Sequence, residues 1–132
     1  KRISRPSQML SIILFLGMVI VSFSQNFQLF IDNLFYIVII VFIHNGFALA
    51  TGYFGGTLAK VSVRDRRSLT VETGIQNSGL GLILLFNAAI FPPEIWHGHY
   101  GGMLIITAWW GIWHIISGLA VSFLFRRTPL NE

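Results

Sequence analysis

Apolar residues along this chain gather into four blocks that short polar or basic segments separate. The blocks are residues 9–23, 34–59, 69–91 and 103–125. A helix rises about 1.5 Å per residue, so about 20 apolar residues cross a hydrocarbon core about 30 Å thick. The first block reaches that length when Ser7 and Gln8 lie in the interface. The pattern therefore predicts an all-α integral membrane protein with four transmembrane helices.

Composition supports the same class. Hydrophobic residues make up 54% of the chain and charged residues 11%, and the mean hydropathy is +0.69. A soluble domain usually keeps about 25% charged residues to cover its surface. The chain has no cysteine, which excludes disulfides, thiolate metal sites and cysteine nucleophiles. Neither a Ser/His/Asp order nor a phosphate-binding loop stands out, so we do not predict an enzyme.

The net charge of +4 is concentrated at the ends of the predicted spans. Asp32 and Glu94 lie at the opposite ends. By the positive-inside rule the basic clusters are cytoplasmic, so we expect both ends of this chain in the cytoplasm. We expect the membrane to be a cytoplasmic (inner) membrane of bacterial type, and the location of the charges at span ends argues against a nucleic-acid partner. Because Lys1 is not an initiator Met, we also expect the chain to be part of a longer protein. The basic clusters are Lys1, Arg2 and Arg5; Lys60, Arg64, Arg66 and Arg67; and Arg126 and Arg127.

The third span carries an unusual concentration of polar residues in ETGIQN, residues 72–77. A carboxylate at membrane depth costs several kcal/mol by most estimates, so it normally faces a partner, a cation or water. Glu72 and Gln76 share one helical face, and the glycines around them would let residues 72–78 unwind and present carbonyl oxygens. The alternative is that Glu72 only stabilises the amino terminus of its helix, by about 0.3 to 1 kcal/mol, through the helix dipole. That alternative leaves the amides of Gln76 and Asn77 without an explanation.

The other spans carry less chemistry. Span one has no polar face and is predicted to be a scaffold helix, whereas the glycines of span two indicate close packing or a kink. In span four a stripe of small and polar residues that includes His114 is predicted to face other helices. His44, which precedes Asn45 in span two, and His114, judged singly, are typical of buried structural histidines, although the small neighbours of His114 leave room for a ligand or another helix. The span-two glycines are Gly46, Gly52, Gly55 and Gly56, and the stripe is Thr107, Gly111, His114, Gly118 and Ser122.

Three segments in order resemble the last three helices of the bile acid:sodium symporter family. They are HNGFALATGYFGG, RRSLTVETGIQNSGL and WHIISG, residues 44–56, 66–80 and 113–118. The resemblance implies a ten-helix fold of two inverted repeats, of which this chain supplies the last four helices. Residues 1–28 would be a panel-type scaffold helix. Residues 29–132 would be core helices, at 34–59, at 69–91 as a broken, crossing helix, and at 103–125.

The resemblance also implies a site. In the family the acid and glutamine of the motif help to bind sodium, which corresponds to Glu72 and Gln76, with the carbonyls of Thr73 and Ile75 as further ligands. Asn77 and His114 match positions beside the substrate cavity, and we assign Asn45 to the substrate as well. Many relatives have WHN where this chain has Trp113, His114 and Ile115, so the identity of the substrate is open.

These features predict a sodium-coupled symporter of a bile-acid-like or other carboxylate or sulfonate anion. Sodium would neutralise Glu72, the dipole ends of the broken helix would bind the anion, and the core would rock against the panel. The other repeat would be needed to complete the sodium sites. A proton-coupled carrier that titrates Glu72 or His114, and a non-transporting membrane subunit or sensor, are the alternatives.

Overall fold

The computed structural model describes residues 4–92, 94 and 98–128, with the side chain of Ser4 excluded. Lys1 and Arg2 of the first basic cluster lie outside this part. Within it the chain is helical and contains no strand. The helices are α1 (Ser4–Asp32), α2 (Leu34–Leu58), α3 (Val63–Gly74), α4 (Ser78–Leu85) and α5 (Tyr100–Arg127).

Three of the described helices are long and apolar enough to cross a membrane, which confirms the predicted class of an all-α membrane protein. They cover Arg5–Asp32, Leu34–Leu58 and Tyr100–Arg127. The third predicted span, residues 69–91, is not one helix, because the chain leaves helical geometry between α3 and α4. Residues Ile75–Asn77, which join these two helices, are called the break below.

The distribution of apolar side chains is that of a protein whose solvent is lipid. Large apolar residues cover the outside of the helices, and Phe35 and Phe47 are each 71% exposed. Polar side chains are among the most deeply buried groups, including Ser22, Asn45 and His114. Lipid tails do not drive apolar side chains inward, so hydrogen bonding and close contact select the interior instead.

The described chain forms two compact units. One contains residues 4–34 and Ser78–Trp109, and therefore α1, α4 and the beginning of α5. In this unit the Tyr100 hydroxyl donates to the carbonyl of Leu85 at 2.7 Å and thereby caps α4. Helix α1 is kinked at Asn26, whose amide donates to the Ser22 carbonyl at 3.0 Å. Val19, Leu82, Leu85, Leu104, Ile105 and Ala108 are its buried apolar residues.

The second unit contains Phe35–Asn77 and residues 110–128, and it includes most of the predicted site. Helices α2 and α3 meet here at very short range. A Cβ atom on Gly52 would lie 2.7 Å from the Leu69 carbonyl oxygen and 2.9 Å from the Thr70 Cα. Gly52 and Gly56 form a G-x-x-x-G pair, the spacing that allows helix backbones to approach in membranes. Gly52 and Gly56 therefore create a helix–helix contact, whereas a Cβ atom on Gly46 or Gly55 would have no atom within 4 Å.

The turn between α2 and α3 is fixed by local hydrogen bonds. Lys60 adopts a left-handed conformation with φ of 53°, and the Val61 N–H donates to the Gly56 carbonyl at 3.2 Å. These features terminate α2. Ser62 then caps α3 by accepting a hydrogen bond from the Asp65 N–H at 3.1 Å. Helix α3 consequently starts at a defined residue close to the end of α2.

Candidate functional site

The break begins directly after Gly74, inside residues 72–78, whose glycine and polar residues predict that the helix can unwind. Ile75 has φ of −97° and ψ of 96°, which is extended backbone, while its N–H still donates to the Val71 carbonyl at 2.9 Å. Helix α4 starts at Ser78. The last carbonyl groups of α3 have no partners within their own helix, so side chains, water or a ligand must satisfy them.

Asn45 of α2 satisfies one of these carbonyls. Its side chain is 1% exposed, and its Nδ2 donates to the carbonyl oxygen of Gly74 at 2.8 Å. Close packing brings the two groups together, because a Cβ atom on Gly74 would collide with the side chain of Leu49, with Cγ only 2.8 Å away. Glycine at position 74 therefore lets α2 approach the end of α3.

His114 of α5 contacts the other side of the break. Its side chain is 2% exposed, and its Nδ1 lies 3.3 Å from the backbone nitrogen of Gln76 and 3.2 Å from the carbonyl oxygen of the same residue. The neutral ring accepts from the N–H when Nδ1 is unprotonated and donates to the oxygen when Nδ1 carries the proton. The other ring nitrogen, Nε2, is buried and has no hydrogen-bond partner in the described part of the chain.

Aromatic contacts fix the position of this imidazole. The Trp110 ring packs edge to face on His114, with 4.7 Å between ring centroids, and His44 packs edge to face on Trp110 at 5.3 Å. Gly118, one turn further along α5, leaves room for Ile75, since a Cβ atom there would lie 2.5 Å from Ile75 Cδ1. Gly111, His114 and Gly118 are buried, as the predicted stripe requires.

The four predicted sodium ligands occupy the end of α3 and the start of the break. Glu72 and Ile75 are exposed, and Thr73 and Gln76 are partly buried. The Thr73 hydroxyl donates to the Leu69 carbonyl at 2.6 Å. Within the described residues the Glu72 carboxylate has neither a hydrogen bond nor an ion pair, and no hydrogen bond joins the four side chains. Their proximity therefore comes from their succession along the chain.

The three predicted substrate residues separate into two environments. Asn45 and His114 are buried and bind backbone atoms on either side of Ile75, whereas the side chain of Asn77 is exposed. The structure therefore brings two of the three together around the backbone of the break. Sequence reasoning did not identify the Gly74 carbonyl or the Gln76 backbone as their partners, because a pattern does not show which distant backbone groups lack a bond.

An open cavity of about 960 Å³ lies beside Glu72 between α3 and α5. Arg67, predicted from the sequence only as a member of a basic cluster, extends from α3 and contacts the end of α5. Its Nη1 donates to the Phe125 carbonyl and its Nη2 to the Thr128 hydroxyl, each at 2.9 Å. The preference of cations for helix carboxyl termini was the available signal for this contact. The lining residues are Arg67, Ser68, Val71, Glu72, Ile75, Ser122, Phe125, Arg126 and Thr128.

Comparison with known proteins gives one informative match. The chain is 33% identical over 79 residues to the uncharacterized sodium-dependent transporter YocS of Bacillus subtilis (strain 168), an alignment that covers 53% of this chain and 24% of that protein. The chain thus spans about a quarter of the length of this relative. No protein-family model matches the chain, and no solved structure does. Over about half its length, the chain accordingly resembles a bacterial sodium-dependent transporter, which confirms the resemblance that its motifs predicted.

Proposed function

We propose that this chain is part of a sodium-coupled symporter of an organic anion, of the bile acid:sodium symporter family. The observation that carries the proposal is the break itself, a non-helical segment between the polar helix α3 and the apolar helix α4, close to the exposed carboxylate of Glu72. Irregular backbone at membrane depth is tolerated where it is enclosed by protein or lines a cavity. Carriers use such interrupted helices for ions and substrates, and the similarity to a sodium-dependent transporter supports sodium as the ion.

The positions of the basic residues support a membrane depth for the break. Helix α2 ends and α3 begins beside the cluster around Arg64, and α5 ends at Arg126 and Arg127. If all basic clusters are cytoplasmic, α5 starts on the outer side, so α3 and α4 together cross the bilayer. Residues 63–85 are long enough for this at about 1.5 Å per residue. The break, at residues 75–77, then lies near the middle of the crossing.

Sodium would be held by oxygen atoms at the end of α3. Glu72 would contribute a carboxylate, Gln76 its side-chain amide oxygen, and Thr73 and Ile75 their carbonyl oxygens. A hard cation prefers several oxygen ligands, and a negative ligand offsets its charge. The exposed face of Glu72 leaves space for further oxygen ligands, which we assign to the other inverted repeat of the same transporter.

Sodium binding and substrate binding would be coupled through the charge of Glu72 and the conformational order of the break. A bound cation neutralises Glu72 and draws the ligands at the end of α3 together, which rigidifies the break. Asn77, the exposed polar residue at the end of the break, would then face the anionic substrate, and the sodium gradient would drive uptake of that substrate. Ligands that bind one conformation more tightly shift the population toward that conformation. Sodium loading therefore favours substrate loading.

The test is uptake of a labelled bile acid by the full-length protein that contains this chain, measured as a function of sodium concentration. Glu72→Gln and Gln76→Ala should each raise the sodium concentration for half-maximal uptake at least about tenfold, since each removes a ligand of an enclosed ion. Glu94→Gln removes the same charge from an exposed turn and should leave the value within about twofold. Unchanged sodium dependence in Glu72→Gln would refute the assignment.

The same assay separates the alternative functions. Replacement of sodium by potassium at fixed pH abolishes uptake by a sodium-coupled carrier, whereas a proton-coupled carrier keeps its activity. A subunit or sensor with no transport activity takes up no anion in either salt, and sodium does not raise its thermal stability. A ligand that binds only the native state does raise that stability.

A further inference from the structure

We infer that Asn45 and His114 are positioning residues that hold the backbone of the break, rather than groups that contact the transported anion. The consequence for transport rests on the proposed function, whereas the structural role does not. Asn45 reaches the break from α2 and His114 from α5, and their contacts with Gly74 and Gln76 lie on the two sides of Ile75.

Interrupting a helix inside a membrane costs free energy. The break releases backbone groups from the hydrogen bonds of α3, and a buried polar group without a partner is destabilising, the more so where no water is present. The Gly74 carbonyl accepts a hydrogen bond from Asn45. The Gln76 backbone pairs with Nδ1 of His114, either by donating its N–H or by accepting at its carbonyl oxygen. These two side chains therefore make an extended Ile75 tolerable.

The burial and orientation of the two side chains support the positioning role. Asn45 is 1% exposed and His114 is 2% exposed. The ring nitrogen that is engaged, Nδ1, faces Gln76, while Nε2 is buried without a hydrogen-bond partner in the described part of the chain. All hydrogen bonding of the imidazole ring within that part is thus directed to the backbone of one residue.

The contact between His114 and the Gln76 backbone adjoins the proposed ion site. Gln76 supplies a side-chain ligand, and its backbone nitrogen is bonded directly to the carbonyl of Ile75, another proposed ligand. Displacement of the Gln76 backbone moves both oxygen atoms. His114 should therefore set the affinity for sodium without touching the ion, and the effect should be the same for every transported anion.

Two substitutions of His114 test the inference because each retains one end of the imidazole. The amide of His114→Asn lies where Nδ1 lies, and the amide of His114→Gln reaches toward the position of Nε2. In the full-length protein we expect His114→Asn to keep the sodium concentration for half-maximal uptake within about twofold. His114→Gln should raise it about threefold to tenfold, the range of one lost hydrogen bond.

The opposite result, with His114→Gln normal and His114→Asn impaired in a manner that differs among anions, would overturn the inference in favour of a substrate contact. Hydrogen–deuterium exchange across residues 75–78 gives a second readout that does not depend on transport. Exchange should be faster in His114→Gln than in the wild type and unchanged in His114→Asn, even if uptake proves independent of sodium. Equal exchange in both variants would refute the positioning role.

A measurement on the wild type covers the case in which either variant fails to fold. Solid-state NMR of the protein in bilayers, with ¹⁵N-labelled histidine, should show a hydrogen-bonded Nδ1 and a free Nε2 for His114. A free Nδ1 would contradict the inference.

Discussion

Asn45 provides a residue-scale test of what stabilises the break. Its replacement by Leu keeps a similar volume but removes the donor to the Gly74 carbonyl, which then remains buried without its partner. An unsatisfied buried acceptor costs about 1–3 kcal/mol. We therefore expect Asn45→Leu to lower the unfolding temperature of the purified protein in detergent, as followed by a thermal-shift assay.

The matched control for this change is Asn33. Its side-chain amide also donates to a backbone carbonyl, that of Leu29 at 3.0 Å, but at an accessible helix end. The Leu29 carbonyl there also accepts from the backbone N–H of Asn33 at 3.2 Å and is accessible to water. Asn33→Leu should therefore alter the free energy of unfolding by no more than about 0.5 kcal/mol. Equal losses of stability in the two variants would show that the buried hydrogen bond of Asn45 contributes no more than the accessible one of Asn33.

At the scale of elements, the approach of α2 to α3 depends on glycine at position 52. The nearest atoms to an added Cβ belong to the backbone of α3, including the Leu69 carbonyl oxygen at 2.7 Å, so they cannot be relieved by a rotamer change. Overpacking of this kind typically costs about 1–3 kcal/mol. Gly52→Ala should thus destabilise the protein by about this amount and displace α3, together with the break that follows it.

Gly55 is the control on the same helix. No atom lies within 4 Å of a Cβ built there, and alanine favours a helix over glycine by up to about 1 kcal/mol. Gly55→Ala should therefore leave the unfolding temperature unchanged or raise it. The unfolding temperatures of both variants should be measured in the same detergent. A loss of stability in Gly55→Ala as large as that in Gly52→Ala would argue against close packing of α2 on α3 as the cause.

At the scale of the whole molecule, the path of the chain across the bilayer is the decisive property. The chain has no cysteine, so single cysteines introduced at accessible positions report the side of the membrane. We expect Lys60→Cys and Thr128→Cys to react with an impermeant thiol reagent from the cytoplasmic side, and Glu94→Cys to react from the outer side. Basic residues are concentrated around Lys60 and Thr128, and segments rich in such residues stay on the cytoplasmic side.

The position of Glu94 is the informative one, because it follows α4. Reaction of Glu94→Cys from the cytoplasmic side would mean that α3 and α4 enter the membrane and return without crossing it. In that case the break would not lie at mid-membrane, and the proposed transport mechanism would lose its main support. Asn33→Cys, located between α1 and α2 and expected on the outer side, provides the reference signal for that side.

Much of the helical organisation could be predicted from the sequence, because span length and apolar composition are local properties. The second predicted span, residues 34–59, agrees with α2 (Leu34–Leu58), and the fourth, residues 103–125, lies within α5 (Tyr100–Arg127). The first helix is longer than its apolar block, since Ser and Gln residues at its ends are compatible with helix. The resemblance to a sodium-dependent transporter, which the motif around Glu72 predicted, is confirmed by the Bacillus relative over about half of this chain.

The candidate site was only partly predictable. The polar and glycine-rich composition of residues 72–78 indicated where helix could be lost, but it did not specify the conformation of Ile75. That conformation depends on Asn45 and His114, whose partners lie 29 and 38 residues away along the chain. Arg67 likewise finds its acceptors 58 and 61 residues away. Periodicity describes one element at a time and therefore does not reveal such partners.

The sequence by itself determined the membrane class, the long apolar helices, the basic ends and the oxygen-rich motif, because each follows from the transfer properties and spacing of neighbouring residues. Only the tertiary structure decided that the motif is divided by a break, that Asn45 and His114 bind its backbone, and that Glu72 is exposed. The physical reason is that a backbone group freed from a helix takes whichever donor or acceptor packing brings within reach, and packing at Gly52, Gly74 and Gly118 sets that reach.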